Sequence, residues 1–140
     1  MTEAEWSAST DPMAMLRHVS PEFSAPELLR LQVACVARAP DLQYPAMRAW
    51  SKAALIVAEG RADVDRLIKL EERTCEPPMF WKLSPAGSAA LDVLYGCWRE
   101  GETRYSEGAQ GQSAIREEKA YQAELVRTFF GNPFREKRKL

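Results

Sequence analysis

The sequence predicts an all-α protein, an irregular orthogonal bundle of five to six helices, and three observations carry that expectation. Apolar residues recur at i, i+3, i+4 and i+7 along much of the chain, the spacing of one helix face. No stretch alternates apolar and polar residues over strand length with β-branched enrichment. Several of the nine prolines stand where a helix begins or ends. No heptad pattern persists for three heptads, which argues against a long coiled coil. No repeat of about 20 to 50 residues is present either. With 140 residues, 46% of them hydrophobic, the chain suffices for one continuous core, whereas two separate cores would each be marginal. The expected organisation is one helical domain over 1–134 and a flexible basic tail over 135–140.

Thr2 and Glu5 have capping-box spacing, so a first short helix begins at Glu3 and turns Trp6 inward. Ser9, Thr10 and Asp11 interrupt it, and Asp11-Pro12 supplies an N-cap and a first helical residue for a second short helix ending near Val19. Ser24 and Glu27 read as another capping box, opening a helix that runs to about Ala39 and stops at Pro40. Leu28, Leu31 and Cys35 form one stripe of it and Leu29, Val33 and Val36 the next, a wide apolar face that implies deep burial.

Pro45 suits the first turn of a helix in which Met47, Trp50, Ala54 and Val57 repeat at helical spacing, ended by Gly60. Asp63 to Arg73 reads as a half-exposed helix with Val64, Leu67 and Ile68 inward and Asp65, Arg66, Lys69, Glu72 and Arg73 outward. Pro77-Pro78 ends that segment. Ser84-Pro85 then opens a helix to about Arg99 with Leu91, Leu94, Tyr95 and Trp98 on one face, expected to be central. Gly101 to Gln112 is polar and holds three of the seven glycines, so it is expected to be a loop. The last helix runs from Ser113 to Phe130, with Tyr121, Leu125 and Phe129 on one row, and Gly131 caps it.

Charge narrows the function. Nineteen basic and 20 acidic side chains leave a formal net charge of -1, so no whole-molecule field draws in a polyanion or an anionic membrane, and charge-led recognition has to be local. The longest apolar run, Ala53 to Ala58, is far below the ~18 to 20 residues of a membrane span. The start, Met1 to Glu5, has neither a basic nor an apolar leader region, so the cytoplasm is the expected location. Cys35, Cys75 and Cys97 are an odd set with no C-x-x-C pair, which argues against a disulfide framework or zinc ribbon and for reduced thiols.

The opening residues "MTEAEW", then Asp11-Pro12 and Met15-Leu16, together with the closing "FGNPFR" from Phe130 to Arg135, resemble an uncharacterised bacterial family. "VACVARA", Val33 to Ala39, is similar to that family's cysteine- and alanine-rich first long helix but keeps only Cys35. The resemblance implies bacterial origin and an all-helical fold, and no activity. Read from the residues alone, Trp6 and Phe134 are apolar anchors beside turns, so the two termini are expected to dock together.

Candidate chemistry is sparse. His18, the single histidine, stands near a helix C-terminus, where the dipole favours it. A Cys–His dyad would need Cys35 or Cys97 beside it with a depressed thiol pKa. Glu71-Glu72 and Glu117-Glu118 point about 100° apart on a helix and read as solvated faces, and Asp63 and Asp65 read as helix-start acids. The common nucleotide-binding, zinc-hydrolase and serine-hydrolase motifs are absent. No catalytic, cofactor or metal residue is assigned. The expected function is a non-catalytic protein-interaction or assembly subunit, with Met79, Phe80, Trp81, Arg104 and Tyr105 as contact residues to a second copy or another protein. One alternative is a nucleoprotein subunit touching phosphates through Arg135, Lys137, Arg138 and Lys139. The other is a thiol enzyme using Cys35 or Cys97.

Overall fold

A computed structural model describes residues 1–74, 84–95 and 109–135, with seven α-helices and no strand among them. The helices are α1 (Glu3–Ala8), α2 (Pro12–Val19), α3 (Pro26–Ala37), α4 (Pro45–Ala58), α5 (Val64–Thr74), α6 (Pro85–Tyr95) and α7 (Ala109–Phe130), and a 3-10 turn spans Pro40–Leu42. The all-α class read from the sequence is the class observed.

Local chemistry sets most of the boundaries. The Thr2 hydroxyl accepts the Glu5 amide at 3.1 Å and the Glu5 carboxylate accepts the Thr2 amide at 3.1 Å, a complete capping box at α1. The Asp11 carboxylate accepts the amides of Met13 and Ala14, and Pro12 takes the first position of α2. The expected Ser24 capping box does not form. Ala25 is the N-cap of α3 and makes no side-chain cap bond. The cause is Pro26 at the first helical position, because a proline holds its predecessor in an extended conformation and so moves the start one residue on. Gly60 and Gly131 have φ of 73° and 69°, the left-handed turn that ends α4 and α7 as expected.

Two other boundaries differ from the expectation. Residues 109–112, assigned to a loop, are the first turn of α7, which is 22 residues long and about 33 Å from end to end. A single glycine inside a helix costs only about 1 kcal/mol, which the neighbouring turns offset. The helix from Ser84 is described only to Tyr95, and Trp98 and Arg99 lie outside the described residues.

Helix α3 packs against α4, α6 and α7, and α7 packs in turn against α2 and α6. The core gathers Trp6, Met15, Leu28, Leu31, Val36, Leu42, Met47, Trp50, Leu91, Leu94 and Val126 with their neighbours into one cluster. Helix α6 is central, with Ala89, Ala90, Leu91, Val93 and Leu94 all buried. Helix α5 is peripheral and lies mainly on α4. The Tyr44 hydroxyl, next to the start of α4, donates to the Thr74 carbonyl at the end of α5 over 2.6 Å, so the two helices run antiparallel. Leu67 is buried, but Ile68, expected inward, is 42% exposed, because α5 has one main neighbour and buries only a narrow stripe. On α7 Val126 is buried as the apolar spacing expects and Leu125, Phe129 and Phe130 pack against the core, but Gln122 and Ala123 are buried as well and Tyr121 is outside.

The termini meet. Arg127 on α7 donates through one nitrogen to the carbonyls of Trp6 at 2.9 Å and Ser9 at 3.0 Å, and through the other to the Glu124 carboxylate at 2.6 Å. Those carbonyls end α1 and start the turn to α2, so one guanidinium supplements the long Ser9 amide bond to the Trp6 carbonyl and gives the Ser9 carbonyl a charged donor. Trp6 is buried beneath this clamp. Asn132 donates to the Glu3 carboxylate at 2.9 Å, and the ring of Phe134 stacks on His18 at 5.0 Å. The termini meet as expected from the sequence, with Trp6 as a buried anchor, whereas Phe134 is 38% exposed and reaches Trp6 only through the His18 ring between them.

Candidate functional site

The sequence-based contact residues Met79, Phe80, Trp81, Arg104 and Tyr105 lie outside the described residues, as do Lys137, Arg138 and Lys139. Arg135, the one described member of the basic group, faces Glu3 at 3.5 Å and is exposed. Cys75 and Cys97 also lie outside.

The described residues form a shallow cleft, with room of about 10 Å³, enough for about one water, between α3, α4, α5 and α6. Leu29 and Gln32 come from α3, Trp50 from α4, Leu67, Ile68 and Glu71 from α5, Leu94 from α6, and Phe23 from the turn before α3. Leu29, Trp50, Leu67 and Leu94 are buried and form its floor, whereas Phe23 and Ile68 are 37% and 42% exposed. Two partly exposed large apolar side chains on one cleft differ from isolated exposed leucines, which every surface carries.

Gln32 gives the cleft its polar base. It occupies a core position of α3 and is buried, and its Nε2 donates to the Val93 and Leu94 carbonyls at 3.4 and 3.5 Å near the end of α6. Those bonds serve carbonyls in the last turn of the helix. Glu71 is the one charged residue lining the cleft among the described residues. Phe23 and Gln32 were not singled out in the sequence, and Glu71 was read only as part of a solvated acidic face. A polar Gln32 amid the apolar stripe of α3 was the available signal.

The thiol reading fails at Cys35. It is buried on α3, and burial, reinforced by the nearby Glu118 carboxylate, pushes its thiol up to about 12, the opposite of an activated nucleophile. His18 is not beside it: its ring neighbours are Trp6 at 6.2 Å and Phe134 at 5.0 Å. No group of three or more His, Cys, Asp or Glu side chains gathers for a metal among the described residues.

The acidic pairs have structural roles where their contacts are defined. The Asp63 carboxylate accepts the Asp65 amide at 3.2 Å at the start of α5. Glu118 pairs with Arg38 at 2.7 Å, and the Arg38 guanidinium lies 4.0 Å over the Tyr121 ring. No described helix is long and apolar enough to cross a membrane.

The described residues therefore define an all-α helical protein with a shallow cleft between four helices, lined by apolar side chains with Gln32 and Glu71. No family model, curated protein or solved structure matches the chain.

Proposed function

We propose that the protein is a non-catalytic helical interaction or assembly subunit of the cytoplasm, whose partner is a protein chain, a second copy or another protein. The observation that supports this reading is the exposure of Phe23 and Ile68 on the cleft between α3, α4, α5 and α6. A protein surface that seats on them removes apolar area from water, worth about 25 cal/mol per Å² before the costs of association. The buried floor of Leu29, Trp50, Leu67 and Leu94 holds the cleft in shape, so little ordering is needed when a partner arrives. An aspartate at position 68 would put an unpaired charge in that contact.

The test compares wild type with Ile68→Asp by light-scattering chromatography, each alone and mixed with an extract of source cells. Wild type is expected in a species heavier than the 15.8 kDa chain in at least one condition, and the variant at the chain mass in the same condition. The reading is overturned if both run as single chains throughout, or if the substitution leaves the heavier species unchanged. Because Ile68 is already 42% exposed, the substitution leaves the core intact.

A further inference from the structure

On α5, Arg66, Lys69 and Arg73 are all exposed. At i, i+3 and i+7 they fall within an arc of about 60° and span about 10 Å along the helix axis. Among the described residues none of the three forms an ion pair or side-chain hydrogen bond, a state they share with Arg17, Lys52, Arg116 and Lys119, whereas Arg38 is engaged by Glu118, Arg61 by Glu59, Arg127 by Glu124, and Arg30 by the Ala58 carbonyl; what sets α5 apart is that three such cations stand on one row of one helix. Asp65 and Glu72 are spaced from Lys69 as helical ion-pair partners, yet they stay on the adjoining row and leave it unpaired.

We infer that the Arg66–Lys69–Arg73 row is a contact surface for the phosphates of a nucleic-acid strand, a role separate from the cleft proposed above. The chemistry favours a phosphate backbone over a lipid surface. A membrane-binding helix presents apolar residues beside its cations, but Leu67 of α5 is buried, and Ile68 lies about 100° or more round the helix from the cationic row. Three cations with no base-reading groups give weak, sequence-tolerant, salt-sensitive binding, and the Asp65 and Glu72 row beside them limits its strength.

The test is fluorescence anisotropy of a labelled oligodeoxythymidine strand titrated with the full chain. Binding is expected at about 50 mM salt and to weaken roughly twentyfold by about 200 mM, the response of three phosphate contacts to a single strand. The triple variant Arg66→Gln, Lys69→Gln, Arg73→Gln should lose it, while Arg116→Gln, an exposed arginine of α7, should not. Arg66→Gln alone should reduce the salt slope by about 0.7, which keeps the proposal open to test if the triple variant melts early. Absence of binding at low salt overturns the inference. So does unchanged binding by the triple variant, which would assign the contact to the 135–140 tail, or binding to anionic vesicles without binding to the strand.

Discussion

The carboxylate of Asp41 holds Ser84 twice, accepting its amide at 2.7 Å and its hydroxyl at 2.8 Å. The Ser84 hydroxyl in turn accepts the Gly87 amide at 3.0 Å, so the 3-10 turn after α3 fixes the start of α6 from a distance of 43 residues in sequence. Negative charge there also suits the helix dipole.

Gly87 makes that approach possible. A Cβ at position 87 would lie 2.7 Å from one Asp41 oxygen and 2.9 Å from the other, and both oxygens are committed to Ser84. Gly87→Ala is therefore expected to destabilise the protein by about 1 to 3 kcal/mol, the usual cost of overpacking. In an Asp41→Ala background the same change should be neutral or stabilising by up to about 1 kcal/mol, the helix propensity of alanine over glycine. Urea denaturation of the four proteins of the double-mutant cycle checks the sign reversal.

Arg127→Met keeps most of the side-chain stem but removes the donors to Trp6 and Ser9. We expect a loss of about 1 to 3 kcal/mol, because two carbonyls lose a charged donor. Trp6→Ala should cost more, about 3 to 5 kcal/mol, since it empties a buried site of the largest side chain. Thermal melts of both variants test the order.

Cys35 should resist alkylation in the folded protein and react only on unfolding. Its thiol is raised from the ordinary 9.0 to about 12 by burial, so the neutral form stabilises the fold below about pH 9 and that contribution is lost as pH rises towards 12. Timed labelling, with Cys35→Ala to identify the adduct, measures the first expectation. Alkaline denaturation of wild type against that variant measures the second.

The Glu5 carboxyl is held below its ordinary value by the Thr2 hydrogen bonds, the side-chain bond first and the backbone bond second. Its folded value being the lower one, the capping box stabilises above the ordinary carboxylate range and weakens as pH falls through the folded value. Thr2→Ala is expected to shrink that acid-side dependence. Chemical shifts of the α1 amides followed across the acid range report it.

The helical grammar was legible wherever a cap or a first-turn proline met no competing signal, as at Thr2, Asp11-Pro12, Pro45 and Ser84-Pro85. It failed at Ser24, where two local signals competed and Pro26 decided the boundary. The burial of Leu28, Leu31, Met47 and Leu91 followed from spacing alone. The exposure of Ile68 did not, because it depends on how many neighbours α5 has, which no local pattern encodes. The same holds for the cleft. Phe23, Gln32 and Glu71 belong to different segments that only the packing of α3 to α6 brings together. The clamp of Arg127 on Trp6 spans 121 positions and was visible only as an expectation that the termini meet.

The claim that the α3–α6 cleft is a contact surface is tested most directly by a photo-crosslinking side chain at position 68, with the same side chain at the exposed Ala62 as control. Irradiation in source cells is expected to join position 68, and not position 62, to a second copy or to one other protein in a discrete adduct. An unmodified chain at both positions, or the same adducts at both, would contradict it.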